Sequence, residues 1–350
     1  MIWRYFNSCV AAGLRDRIRA APTIANVRRD LDKPSALVNV ACIGVLLIFV
    51  SSCQRTHIRL RTPPLSPRLL TNEPQTMDYW PCFSPGGELI LFSRSTDKGK
   101  TWELFVIPSS GGQAKPFSRS TLPVSATRPH WSKKKNLIAF TGVSTDGTAS
   151  TWTIHADGTQ PRQLLSKGLS KHVYYPYWYP DGNRIAVVDF GEEEHEGGVI
   201  KRLDLENGAA TPLTDRLQVL AGMPSVSPNG TWIAFAGQKN EGQPYDQSKN
   251  SIWLLSNKGK LRRVDSEQGR TPSWAPDSVK IAFESKRGNA QQLYAAFVTD
   301  RNGKGTRQVT PYELNANHPV WSPDGKSLAF SVGSYTQGQT GIGIFQLVNH

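Results

Sequence analysis

One twelve-residue phrase limits what this chain can fold into more than any other feature. PVWSPDGKSLAF, from Pro319 to Phe330, recurs as PCFSPGGELILF from Pro81, PHWSKKKNLIAF from Pro129, PYWYPDGNRIAV from Pro176, PSVSPNGTWIAF from Pro224 and PSWAPDSVKIAF from Pro272. The six prolines are spaced by 48, 47, 48, 48 and 47 residues. A fixed period of about 40–50 residues built from strand-like units is the mark of propeller blades.

Each copy has the chemistry of a hairpin. Pro-Asp-Gly, Pro-Gly-Gly and Pro-Asn-Gly are turns: proline presets φ, Asp or Asn braces the corner, and Gly accepts a positive φ. A short apolar or β-branched run follows, such as Ile281-Ala282-Phe283, with few helix signals. A third strand follows in each copy: TWELFVI from Thr101, TWTIHA from Thr151, VIKRLDL from Val199, SIWLLS from Ser251, QLYAAFV from Gln292 and GIGIFQL from Gly341. A polar turn then leads to a fourth: PRQLL from Pro161, ATPLT from Ala210, LRRV from Leu261 and TRQVT from Thr306. Four antiparallel strands per period make one blade. The sixth copy ends after its third strand, while RLLT at 68–71 is a fourth strand with no third before it. Joining the two closes the ring and removes an open sheet edge. The expected fold class is all-β: a six-bladed β-propeller of four-stranded antiparallel blades over residues 65–350, with the N-terminal strand completing the last blade.

Trp131, Trp178, Trp274 and Trp321 share one repeat position, with Phe83 and Val226 in the remaining copies. Such periodicity points to packing between blades rather than to a ligand cage. The formal charge of +13 is scattered over turns, with +4 before Cys53 and +9 after it. No nucleic-acid motif accompanies it, and nucleic acid is not an expected partner.

Residues 36–50, ALVNVACIGVLLIFV, follow Arg28, Arg29 and Lys33. The run is short for a membrane span and suits a signal-peptide core. Val50-Ser51-Ser52-Cys53 resembles a bacterial lipobox, which implies processing at Cys53 and lipid attachment there. Residues 1–53 are read as the signal and lipobox segment and 54–64 as a tether. Gln54 after the cysteine implies, by the same resemblance, an outer-membrane destination facing the periplasm. Of four cysteines only Cys82 falls in the repeats, where it is expected to be a free, buried thiol.

The unit PxWSPDGxxIAF resembles the TolB-type, WD40-like propeller repeat over nearly all of the chain after the signal segment. TolB proteins are periplasmic and bind envelope partners, a peptidoglycan-associated lipoprotein among them. The resemblance implies a lipid-anchored envelope protein whose propeller binds a protein or cell-wall component, without catalysis and without a cofactor. The dozen residues QRTHIRLRTPPL leave no room before the propeller for the second domain of TolB. The alternative class is a carbohydrate-active enzyme, oligogalacturonate-lyase-like or a glycosidase, with its site at the channel mouth.

Short, uniform Asp-Gly turns share one face of a propeller, and the variable connections share the other. The longest connections are 190–198 and 237–250, and variable loops on a rigid scaffold are where binding concentrates. The candidate binding residues are Glu192, Glu193, Glu194, His195 and Glu196 in the first loop and Tyr245 and Asp246 in the second. The acidic run offers oxygen ligands for a hard cation, but consecutive residues converge poorly on one ion. Lyases that resemble this repeat hold a metal with dispersed histidines, which singles out His130, His172 and His318; ordinary packing or surface histidines are the competing reading. STDKGKTW, at Ser95–Trp102, matches the Asp-box pattern SxDxGxxW and is read as a turn support.

Overall fold

The computed structural model describes residues 67–192, 197–265, 267–334 and 337–347. Segments 1–53 and 54–64, Cys53, and Glu193, Glu194, His195 and Glu196 lie outside the described residues. What is described is all-β apart from two single-turn 3-10 helices, Gln247–Lys249 and Tyr312–Leu314.

Each repeat contributes a first strand that starts before its proline: Met77–Phe83, Ser125–Trp131, Val173–Trp178, Val219–Val226, Arg270–Trp274 and Asn317–Trp321. These six strands pack each against the next, and the last packs against the first. They are the innermost strands of a closed ring. Repeats 2 to 5 form four separate four-stranded antiparallel sheets. Repeats 6 and 1 share one eight-stranded sheet, joined by the single parallel pair Met77 and Thr340. The expectation of six separate blades is corrected here: hydrogen bonding separates four and joins the other two four-stranded sets. The join has a local cause. Thr340 donates through its N–H to Thr76 O at 3.3 Å and through Oγ1 to Asp78 O at 3.1 Å, so the third strand of repeat 6 reaches the first strand of repeat 1.

The N-terminal strand Arg68–Leu69 pairs antiparallel with Gln339–Gln346, placing Arg68 opposite Ile344 and Leu69 opposite Gly343. It completes repeat 6 as its fourth strand. All six outer strands are two or three residues long, which leaves little unpaired edge for another chain.

The core lies between repeats. Phe92, Phe140, Phe235, Phe283 and Phe330, at one position of the second strand, are fully buried, and Val187 takes that place in repeat 3. Apolar clusters join repeats 1 and 2, 2 and 3, 3 and 4, 4 and 5, 5 and 6, and 6 and 1. Trp131, Trp178, Trp274 and Trp321 are buried in these layers, as their periodicity required. A lone repeat has no partner for either face of its sheet, and the ring gives every face one.

All six first strands carry a β-bulge at the repeated proline. The residue before each proline is left-handed: Trp80, Arg128, Tyr175, Met223, Thr271 and His318, with φ of 57°, 54°, 58°, 55°, 47° and 52°. A bulge drops ladder hydrogen bonds, and proline, having no N–H, leaves no donor orphaned there. In three of these left-handed residues the N–H is met by a side chain of the preceding repeat. Trp80 N donates to Ser331 Oγ at 3.3 Å, Tyr175 N to Thr141 Oγ1 at 3.1 Å, and His318 N to Glu284 Oε2 at 2.6 Å. In three repeats the side chain after proline serves the following repeat. Cys82 Sγ accepts from Trp131 N at 3.3 Å, His130 Nδ1 from Trp178 N at 3.1 Å, and Ser273 Oγ from Trp321 N at 3.3 Å.

Candidate functional site: the connection-side mouth of the channel

The bulge re-aims one side chain per repeat, and those of repeats 1, 2, 3 and 6 meet at one mouth of the channel. His318 of repeat 6 packs edge-on against Trp80 of repeat 1, with centroids 5.9 Å apart, and against Tyr79 at 5.3 Å. Trp80 also contacts Trp102 at 4.9 Å. The guanidinium carbon of Arg128, in repeat 2, stands over Trp80 at 4.6 Å and over Tyr175 of repeat 3 at 4.4 Å. Arg128 therefore sits between the rings of its two neighbouring repeats. Tyr174 adds a third ring at 5.7 Å.

On the other side of the axis lies a buried charge pair. Arg270 opens the first strand of repeat 5, and Glu284 ends the second strand but one residue; Nε and Oε1 are 3.2 Å apart. Glu284 is fully buried. Burial opposes its ionisation, but Arg270, His318 and the His318 N–H together hold its carboxyl below the usual range. Arg270 is held above the ordinary range despite burial, by the tyrosine and carboxylate groups around it. Its Nη1 donates to Tyr294 Oη at 3.0 Å and to Gln247 Oε1 at 2.9 Å. Burial pushes His318 down to about 4, against the pull of Glu284, so its ring is neutral at pH 7. Arg128 lowers it further, from four repeats along the chain and two around the ring.

The residues singled out in the sequence fall in several places. Glu192 is exposed at the start of its loop. Tyr245 Oη accepts from Asn250 Nδ2 at 2.8 Å, and Asp246 caps the 3-10 turn through Ser248 N and Oγ at 2.9 and 2.7 Å. Gln247, which opens that turn, reaches Arg270 at the mouth, and Tyr245 lies near enough to act on the charge of Arg270. His318 is at the mouth. His130 belongs to the turn-side half of the channel, stacked on Tyr177 at 3.6 Å with its Nδ1 taken by Trp178; burial pushes it down to about 3. His172 precedes the first strand of repeat 3, its N–H on Ser170 Oγ at 3.3 Å. The three histidines thus sit in three different registers. Among the described residues no three His, Cys, Asp or Glu side chains are grouped to share a metal. In the Asp-box stretch, Asp97 Oδ1 accepts from Lys100 N, Thr101 N and Ser95 Oγ at 3.0, 2.9 and 2.7 Å. Trp102 donates to Gly99 O at 3.2 Å, so the braced turn also places an aromatic ring beside Trp80.

Sequence reasoning missed Trp80, Arg128, Tyr175, Arg270 and Glu284. A signal was present. In a chain whose repeats agree at Pro, Trp and Phe, the column just before Pro reads Trp, Arg, Tyr, Met, Thr, His. An unrepeated column inside a repeated phrase marks where the copies stopped serving the scaffold alone.

No protein-family model matches the chain. It is similar to an uncharacterised peptidase, YuxL, of Bacillus subtilis, at 33% identity over 113 residues, 31% of this chain and 17% of that protein. It is similar to the Tol-Pal system protein TolB of Francisella tularensis at 28% identity over 193 residues, 52% of this chain and 42% of that protein. The chain thus spans less than half the length of these curated relatives. Among solved structures, a putative TolB from Agrobacterium tumefaciens superposes with a TM-score of 0.59 at 17% identity, covering 81% of this chain and 94% of that one. An oligogalacturonate lyase from Vibrio parahaemolyticus gives 0.50 at 11% identity, covering 82% and 98%. The fold is a TolB-like β-propeller, and these structural likenesses carry the fold alone.

Proposed function

We propose that this chain is a binding module of the bacterial cell envelope, gripping a protein partner at the connection-side mouth. The convergence of Trp80, Arg128, Tyr175 and His318 on one mouth carries the reading. Aromatic and arginine side chains that are half-buried and rigidly held are the residues that dominate protein recognition sites. The likeness to Tol-Pal proteins supports an envelope setting. The lipobox-like stretch supports a lipid anchor on Cys53, in the outer membrane facing the periplasm.

The test is capture from detergent-solubilised envelope with the full chain, read by mass spectrometry. One envelope protein should be enriched, and Tyr175→Ala should release it. Retention on acidic polysaccharide with no protein captured would favour the carbohydrate-active alternative. For the anchor, incorporation of a clickable fatty acid should vanish in Cys53→Ser; labelling that persists would remove the anchor from the reading.

A further inference from the structure

Arg128 differs from the arginines of the ring that are paired with carboxylates. Arg94 holds Asp78 and Glu73 at 2.7 and 2.6 Å, Arg287 holds Asp265 at 2.7 Å, and Arg270 faces Glu284. Arg128 has no carboxylate partner among the described residues. One donor is satisfied: Nη1 donates to Thr127 Oγ1 at 3.2 Å. Its Nε is buried without a hydrogen bond. A buried guanidinium donor without a protein acceptor is costly and calls for one.

The surroundings decide what kind of acceptor. The ring centroids of Trp80 and Tyr175 lie 4.6 and 4.4 Å from the guanidinium carbon. Neither Nε nor Nη2 has a hydrogen bond among the described residues, so the Nε–Nη2 pair is the fork left unused. That fork matches two oxygens of one oxyanion. A planar carboxylate continues the guanidinium plane between the rings, whereas a tetrahedral phosphate thrusts oxygens toward them. Glu284 and Arg270 cancel each other, so Arg128 sets the local field. A lysine would supply the charge without the fork.

We infer that Arg128 is the specificity residue of this mouth, and that it takes an acidic side chain of the partner as a two-pronged carboxylate contact. This rests on the binding reading above. The probe is N-acetyl-aspartate methylamide, with the matching asparagine compound as control, titrated into the purified full chain. The readout in the wild type is the Arg128 Nε–H resonance, assigned by its disappearance in Arg128→Lys, and the affinities of wild type and variants are compared by isothermal titration calorimetry. The aspartate compound should shift that resonance saturably and the asparagine compound should not. Arg128→Lys should weaken binding by about tenfold or more, as expected when a buried charged hydrogen bond is lost, and Arg128→Gln should abolish it, both with melting temperatures close to wild type. Equal response to the two compounds, or full affinity in Arg128→Lys, overturns the inference. Trigalacturonate shifting the resonance where the aspartate compound does not overturns the peptide source and points to an acidic sugar. An envelope partner captured equally by wild type and Arg128→Gln sinks this inference and leaves the binding reading standing; no partner captured by wild type sinks the reading itself.

Discussion

The two halves of the central channel are built from the same six strands, yet they use their side chains in opposite ways. On the turn side, Pro85, Pro180, Pro228, Pro276 and Pro323 repeat one position, and only Lys133 departs from it. The polar atoms of Cys82, His130 and Ser273 are taken by the backbone of the next repeat. On the connection side, Trp80, Arg128, Tyr175 and His318 stand one residue before the repeated proline and form no such regular set. Two positions flanking one proline therefore divide the work. The residue after it binds the ring together, and the residue before it is turned by the bulge toward the mouth. A bulge is the device that lets a repeat change one side chain without disturbing the ladder around it.

The largest effect should come from the buried pair on the connection side. Glu284→Ala leaves Arg270 desolvated and removes the acceptor of the His318 N–H. Breaking a buried ion pair in this way costs about 3–5 kcal/mol, to be read from urea unfolding midpoints. Glu284→Gln keeps the acceptor and should lose less. Equal losses would show that the charge of the pair carries the whole effect and that shape and acceptor add nothing there.

His130→Ala tests the turn side. It vacates the stack on Tyr177 and orphans the Trp178 N–H, for about 2–4 kcal/mol. Capture of the envelope partner should be unchanged once the variant is folded. Arg128→Gln should behave in reverse, sparing stability and losing the partner. If His130→Ala abolishes capture while still folded, the functional division between the halves is wrong.

Acid should weaken both halves together. His130 and His318 are depressed by burial to about 3 and about 4. The unfolded chain takes up these protons near the ordinary histidine value of about 6.5, and the folded chain resists them. Their contribution is complete above that value and is lost as pH falls toward the folded values. The slope is about 1.4 kcal/mol per pH unit for each histidine, or about 2 kcal/mol each by pH 5. Below the usual glutamate range, Glu284 adds to the loss, because its carboxyl is also held down in the fold. Unfolding midpoints at pH 7.5, 6 and 5 should fall accordingly, and His130→Ala should flatten the curve. An unchanged slope in that variant would mean that His130 is protonated without cost.

The ring and its closure were legible because they rest on periodic, local chemistry. Turn residues, the buried phenylalanine and tryptophan columns, and the orphan strand at 68–71 all follow from sequence spacing. The shared sheet of repeats 6 and 1 was not legible, since it depends on how Thr340 approaches Thr76 and Asp78 across the closure. The mouth was half legible. The 237–250 loop approaches Arg270 there through Gln247 and Tyr245, while Asp246 caps the turn. His318 was chosen as a metal candidate and instead packs on Trp80 and offers its N–H to Glu284. What hid the site was the left-handed turn before proline. That position is ordinarily biased to extended backbone, so nothing local announced that its side chain leaves the strand pattern and faces the axis.

The smallest effect concerns the one break in the turn-side collar. Lys133 stands where five repeats have proline, in a turn whose next two N–H groups bond to Ser132 Oγ, at 3.3 Å from Lys134 and 3.0 Å from Lys135. No hydrogen bond from Lys133 N–H is among those of the described residues, so a proline forfeits none. Lys133→Pro should stabilise by about 0.4–1 kcal/mol, through restriction of the unfolded chain. It also removes a cation from the rim of that half of the channel. If the turn side is scaffold, partner capture is unchanged and only the unfolding midpoint rises. If capture weakens while stability rises, Lys133 meets a ligand, and the turn-side mouth becomes a second binding surface rather than the back of the ring.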